Sequence, residues 1–322
     1  MTSAIAALPF RFFDLRVLRS TRLSPSFLRI TFGGADLAEV NCGGRDQRVK
    51  VFFPHQHQDV PVLPENRDGD WFTRWRAMNP AVRAVMRTYT VRAHRKDVGE
   101  LDIDFAVHGS GGGPAMRWAA RASEGSRVAL LGPVVEDNGG VDFQPPRDAD
   151  WVLLTADETA LPAVEAILSW LPADTRARVW IEVSCTEDIR GLSTEADAEI
   201  TWPVRDAHEN RRNADDADEN PVGSDGNRGA ADRSGGGVCG NGIGGGGAAA
   251  VLAAVRAARL PEGKPYAWIA GESAEVRALR RHLVREREFE RDSIVFTGYW
   301  RRGAGEDDLL VERFGDGAVD QE

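Results

Sequence analysis

The chain has 322 residues, enough at about 150 per domain for two domains that bury their own cores, which excludes a small module stapled by disulfides or metal. Lysine and arginine total 40 against 50 aspartates and glutamates, and a formal charge of −10 excludes a general nucleic-acid binder that works by neutralising phosphates. Cys42, Cys185 and Cys239 lie far apart without a CxxC pair, so no iron–sulfur cluster or zinc site is readable and no protein-held metal is expected.

The first nine residues are apolar but carry no basic n-region, and Arg11, Asp14 and Arg16 interrupt them before a signal-length core accumulates. No run approaches the roughly 20 apolar residues of a membrane span. The expectation is a cytoplasmic protein without membrane association. From Phe10 to about Pro145 short β-rich runs alternate with turns: Phe12 to Leu18, Phe27 to Phe32, Val49 to Phe53, Thr88 to Ala93, Leu101 to Val107 and Arg127 to Leu131. Six such strands without helical periods predict a small antiparallel barrel or sandwich.

After Asp150 the rhythm changes. Strands are predicted at Trp151 to Thr155, Arg178 to Val183, Tyr266 to Ala270 and Ser293 to Thr297, with helices at Thr159 to Leu171, Ala248 to Leu260 and Ser273 to Glu286. That alternation is the mark of a doubly wound parallel sheet. The predicted domains are therefore 10–147 and 150–314. Within the second, residues 205–247 contain no Phe, Trp or Tyr, and 12 of the 25 residues from Gly223 to Gly247 are glycine. So little apolar surface cannot offset the entropy of ordering, and a disordered glycine-rich insertion is expected.

Four strings carry chemistry. Arg87-Thr88-Tyr89-Thr90 lies on a predicted strand, where alternation puts Arg87 and Tyr89 on one face. A guanidinium, an aromatic ring and neighbouring hydroxyls are the set a flavin dinucleotide needs, although an ordinary strand with a solvated arginine reads the same. His108-Gly109-Ser110-Gly111-Gly112-Gly113-Pro114-Ala115 leads into a helix whose start presents backbone N–H groups to a phosphate, with Pro114 suited to the first turn. A plain flexible turn remains the alternative. Thr155 to Pro162 ends the first parallel strand, where doubly wound sheets place ligands. There Asp157 and Glu158 read as capping or ribose-hydroxyl groups, and N-capping by Asp157 or Thr159 accounts for the string as well. Gly298-Tyr299-Trp300-Arg301-Arg302-Gly303 follows the last strand, with aromatic rings to cover a flavin and cations to attract an anion, or simply a basic turn.

In this order, joined by Trp118-Ala119 and by Trp268-Ile269-Ala270-Gly271-Glu272, the strings resemble those of siderophore-interacting proteins, a family of ferredoxin-reductase-like architecture. The likeness runs from Arg16 to about Glu312 apart from the insertion. It implies a six-stranded antiparallel FAD-binding barrel followed by a doubly wound NAD(P)-binding domain, with ferric siderophores reduced to release Fe(II). On this resemblance Arg87, Thr88, Tyr89 and Thr90 contact FAD. His108, Gly109, Gly113, Pro114 and Ala115 lie along its phosphates and adenosine, while Asp157, Glu158, Thr159 and Trp300 sit where the domains meet near the flavin. Lys50, Arg301 and Arg302 match the basic residues directed at an anionic ferric chelate.

No acid–base residue is required, because the cofactor carries the chemistry. The donor is NADPH or NADH, with Ser184, Thr186 and Arg190 placed where a 2′-phosphate would be read, or else reduced ferredoxin. A monomer is expected, since no dimerisation stripe is visible. The chain departs from the family pattern in three places: Ser110-Gly111-Gly112 makes the phosphate loop glycine-rich, Met116 stands where a small hydroxyl residue is common, and Glu288 replaces the glycine expected after the long helix, removing a favoured left-handed stop, which bears on local stability and not on chemistry. The rival readings are another flavin oxidoreductase of the same architecture and a non-catalytic ferric-siderophore carrier.

Overall fold

The computed structural model describes residues 8–66, 68–107, 112–205 and 248–314. The expected disordered insertion, but for Arg205, lies outside these residues, as do His108 and Gly109. Two sheets organise the chain. The first contains β1 (Phe10–Ser24), β2 (Phe27–Gly33), β3 (Arg48–Phe53), β4 (Val85–Thr90), β5 (Ala93–Arg95), β6 (Glu100–Ala106) and β7 (Arg127–Pro133), in the order β4-β3-β7-β1-β2-β6-β5. Every pairing in it is antiparallel. Six of these strands are the expected ones, and the seventh, β5, is only three residues long, too short for a period-two signal.

The long β1 holds the sheet together. Its first half pairs with β7 and its second half with β2, and register shifts after Val17 and Arg22 let one strand turn from one neighbour to the other. Phe13, Leu15 and Val17 alternate inward and meet Ile30, Phe32, Val49, Val51, Phe53, Ile103 and Leu130 in one core. The opposite face of β3, β4 and β7 is covered by α1 (Trp71–Ala77), whose Trp75 packs on Phe52, Met86 and Ala129. Helix α1 is a seven-residue aromatic turn with no predicted counterpart. Helix α2 (Pro114–Ala119) starts after Gly113 with proline in its first turn, as the string predicts.

The second sheet holds β8 (Trp151–Ala156), β9 (Arg176–Ile181), β10 (Asp197–Thr201), β11 (Pro265–Glu272) and β12 (Ile294–Trp300), all parallel in the order β10-β9-β8-β11-β12. Helix α3 (Leu161–Trp170) packs on one face against Leu154, Val179 and Trp268. Helices α4 (Ala248–Ala257) and α5 (Ser273–Arg285) cover the other through Val251, Val255, Val276, Leu279 and Leu283. The sheet is therefore doubly wound, with β10 added at its edge. Sequence periodicity misses β10 because its side chains alternate between exposed and half-buried, so it lacks the continuous apolar run of a central parallel strand. A last helix, α6 (Glu306–Phe314), was also not predicted. Among the described residues no helix is long and apolar enough to cross a membrane.

Candidate active site

A cavity of about 880 Å³ opens between the β3–β4 edge of the first sheet and the carboxyl ends of β8 and β12 in the second. This volume falls in the range of small-molecule and cofactor sites, roughly 300–1,000 Å³. Arg87, Thr88, Tyr89 and Thr90 of β4 form one wall, Lys50 of β3 adjoins them, and Glu158, Thr159 and Trp300 come from the second sheet. Gly113 and Ala115 also border the cavity, and a Cβ on Gly113 would meet no atom within 4 Å, so a ligand can approach that backbone closely.

Alternation along β4 explains the wall. Thr88 faces the same side as Lys50, directly across the ladder, and the Lys50 ammonium donates to its hydroxyl at 2.6 Å. Arg87 and Tyr89 face the other side. Tyr89 lies against Phe105 with centroids 4.6 Å apart and against Phe53, and burial holds its phenol protonated well above the ordinary range. Arg87 is mostly buried, at 14% side-chain exposure, and its guanidinium reaches Asp307 as well as the Met86 carbonyl. A cation, two hydroxyls and a ring thus lie on consecutive positions of an edge strand. These groups fit a pyrophosphate and an aromatic ring system such as FAD presents.

Asp157 is placed differently from its neighbours. Its carboxylate accepts from Trp300 Nε1 at 2.7 Å, the Glu272 amide at 2.9 Å, and both the amide and hydroxyl of Thr159. It therefore ties the ends of β8, β11 and β12 together and orients the Trp300 ring. Burial, followed by the charge of Glu158, raises its pKa. Neither Asp157 nor Thr159 caps α3, in contrast to the sequence expectation: the N-cap is Ala160, with no side-chain cap bond and proline in the first turn. Glu158 lines the cavity but is paired with Arg205 at 2.8 Å, which also reaches Glu182. Burial pushes Glu182 up to about 8 against the opposing pull of Arg205.

The remaining predicted residues do not all converge on the cavity. Arg301 pairs with Glu312 and Arg302 lies 4.0 Å from Glu275, and neither forms part of the wall. Arg190 is engaged by Glu165 and Asp104 and lies over the Phe27 ring, while Ser184 donates to Glu158 and accepts from Arg205. Sequence reasoning overlooked Trp71, Phe27, Glu306 and Leu309, which line the cavity together with Tyr299. Tyr299 belongs to a string already singled out. The others carried no signal, because their approach depends on the packing of elements distant in sequence.

Comparison with known proteins places this geometry in context. Residues 16–137 match the siderophore-interacting FAD-binding domain, and residues 149–222 and 239–303 match the siderophore-interacting protein family, the break falling inside the glycine-rich insertion. The chain is 33% identical over 304 residues to a ferric vibriobactin reductase, ViuB, of Vibrio cholerae, covering 93% of each protein. It is 32% identical over 161 residues to an NADPH-dependent ferric-chelate reductase of Escherichia coli, covering 50% of this chain and 58% of that one. The crystal structure of the siderophore-interacting protein SipS from Aeromonas hydrophila superposes with a TM-score of 0.68 at 29% identity, covering 96% of this chain and 98% of that one. With both parts of the chain matched and one relative aligned nearly end to end, the protein belongs to the siderophore-interacting protein family.

Proposed function

We propose that this protein is a flavin-dependent ferric-siderophore reductase that takes electrons from NADPH or NADH. The observation that carries the reading is one cavity joining the two sheets, with the Arg87 to Thr90 strand on one side and Glu158, Thr159 and Trp300 on the other. FAD, when bound, supplies the chemistry by accepting a hydride and passing its electrons on singly. The chain's own residues hold, orient and shield. On this reading Arg87 receives the pyrophosphate, Tyr89 and Trp300 bound the ring, and Thr88 and Thr90 offer hydroxyls to its polar edge. Gly113, Pro114 and Ala115 present backbone to the phosphate side, with His108 and Gly109 just before them. Asp157 keeps Trp300 in place, and Glu158 and Thr159 mark the approach of the nicotinamide.

Lys50, supported by Arg301 and Arg302, attracts the anionic ferric chelate, which the net charge of −10 would otherwise repel at long range. One electron reduces Fe(III) to Fe(II), and hard hydroxamate or catecholate oxygens hold the larger, less charged ion more weakly. No side chain has to move a proton in the iron step. The domains read as 10–147 for the flavin and 150–314 for the nicotinamide. The name of the Escherichia coli relative favours NADPH, with ferredoxin as an alternative donor, and we read the protein as a cytoplasmic monomer.

The test is NAD(P)H-dependent formation of Fe(II), trapped by a ferrous chelator, across several ferric siderophores. Wild type should turn over and Arg87→Ala should lose most of the rate at limiting FAD. No Fe(II) from any chelate with the flavin-loaded protein would leave only a carrier or another electron acceptor.

A further inference from the structure

The cavity extends inward from the edge strand β4 as well as across to the second sheet. Cross-ladder pairing puts Thr88 of β4, Lys50 of β3, Leu131 of β7 and Phe12 of β1 in one row on one face of the first sheet. Phe10, two residues before Phe12, shares that face. With strands about 4.8 Å apart, Leu131 lies about 10 Å in from the strand that carries Arg87 to Thr90. Lys50, Leu131 and Phe10 all border the cavity, together with Trp71, the first residue of α1.

This inner end differs in chemistry from the β4 wall. Three edge-on neighbours fix the Trp71 ring: Phe12, Phe52 and Phe72, with centroids at 6.3, 5.9 and 5.5 Å. Trp71 and Phe10 are only partly buried, so a ligand entering this end meets a rigid aromatic surface. The cation beside it is Lys50, whose side chain is one-third exposed. An aromatic wall next to an ammonium matches a ligand arm that is both a ring and an anion. A catecholate or phenolate arm is both. A hydroxamate or carboxylate arm carries its oxygens on an aliphatic chain, and of these two features it can use only the lysine.

We propose that Trp71 is a specificity-determining residue: with Phe10, Leu131 and Lys50 it forms a subsite for an aromatic arm of the ferric chelate. The site therefore prefers chelates with aryl-oxygen arms over aliphatic ones of the same charge. That the ligand is a ferric chelate rests on the function proposed above. Arg87 to Thr90 stay with the flavin, because the subsite lies over β3, β7 and β1.

The experiment holds charge constant and needs no turnover. Gallium(III) has the charge and nearly the size of Fe(III) but is not reduced, and its tris-catecholate and tris-oxalate are both trianions, one aromatic and one not. Binding of each to the flavin-loaded full-length protein is measured by titration calorimetry. Wild type should bind the tris-catecholate more tightly, and Trp71→Leu should cut that preference about three- to tenfold while leaving the Kd of the tris-oxalate in place. Trp71→Phe, which keeps a ring, should retain most of the preference. Phe10→Leu, on another element, should lower it in the same sense and gives a second reading if Trp71→Leu does not fold. Titration of apo-protein with FAD should give the same Kd for wild type and Trp71→Leu. Equal binding of the two trianions by wild type overturns the proposal, as does a Trp71→Leu that weakens both by the same factor. So does a Trp71→Leu that weakens FAD, since Trp71 would then belong to the cofactor site. Failure of the reductase reading is separable: wild type would make no Fe(II) from a ferric chelate while the gallium preference and its loss in Trp71→Leu still held.

Discussion

Arg87 combines position and chemistry more than any other residue of the cavity wall. It sits on an edge strand, mostly buried, with a planar guanidinium able to grip a phosphate or carboxylate through two parallel bonds. Replacing it by alanine should weaken FAD binding about 10- to 100-fold, corresponding to ~1.5–3 kcal/mol for a charge-assisted pair. A flavin-fluorescence titration of apo-protein reads this directly, and an unchanged Kd would remove Arg87 from the cofactor site. Glu275 illustrates a different residue-level effect. Burial first, then the charges of Asp157 and Glu272, raise its pKa from 4.5 to about 7. The folded state thus holds this proton more tightly than the unfolded chain. The stability so gained is complete below about pH 4.5 and is lost as the pH rises through 7. Glu275→Gln should therefore stabilise the protein by about 1–3 kcal/mol at pH 8 and have little effect at pH 5, as measured by urea denaturation at both values. An equal effect at the two pH values would show that packing, not charge, is responsible.

Helix α5 shows how an element is started and stopped by its flanking residues. Glu272 caps it at the N-terminus, its carboxylate accepting the amides of Ala274 at 2.6 Å and Glu275 at 3.1 Å. At the other end the Phe289 amide reaches back to the Leu283 carbonyl at 3.0 Å, while the buried Phe289 ring meets Trp151 edge-on. That return requires a left-handed residue before Phe289, and Glu288 occupies it with a φ of +59°. The departure noted in the sequence is thus real strain in the structure: the chain keeps the left-handed stop without the glycine that suits it. Glu288→Gly should raise stability by about 1 kcal/mol and Tm by roughly 2–4 °C in a thermal melt, with no change in flavin affinity. A fall in Tm would mean that the entropy glycine adds to the unfolded chain outweighs the relieved strain. Arg287, next to it, donates to the carbonyls of Val255, Arg256 and Ala258 and so closes the C-terminus of α4.

For the whole molecule, the site exists only because two sheets keep a fixed relation. A buried ionic cluster contributes to that relation. Glu165 on α3, with 6% side-chain exposure, takes Arg92 at 2.5 Å together with Arg190, and Arg29 grips Asp104 of β6 at 2.6 and 2.8 Å while lying 3.8 Å from Glu165. Ser24 and the Ser26 amide add a second tie through Asp188. Removing one carboxylate from such a cluster leaves partly buried arginines uncompensated. Glu165→Ala should therefore cost about 3–5 kcal/mol in a denaturation experiment. A loss below about 1 kcal/mol would show that solvent already screens these charges.

The sequence by itself determined the two-part architecture and the β4 wall of the site. Antiparallel strands and a strand–helix alternation are written in local periodicity, and Arg87 to Thr90 are contiguous, so strand alternation alone groups their side chains. The short β5, the exposed edge strand β10 and the aromatic turn α1 were not legible, because their positions are fixed by pairing and packing rather than by their own pattern. The same holds at the site. Asp157 reads as a cap in one dimension, yet its lone pairs are taken by groups from the ends of two other strands. Lys50, Arg87 and Arg301 read as free cations, yet residues 306, 307 and 312, up to 256 positions away, neutralise them. Only tertiary structure decides such pairings, since a charge acts on whatever lies within a few ångströms and chain separation places no limit on which residue that is.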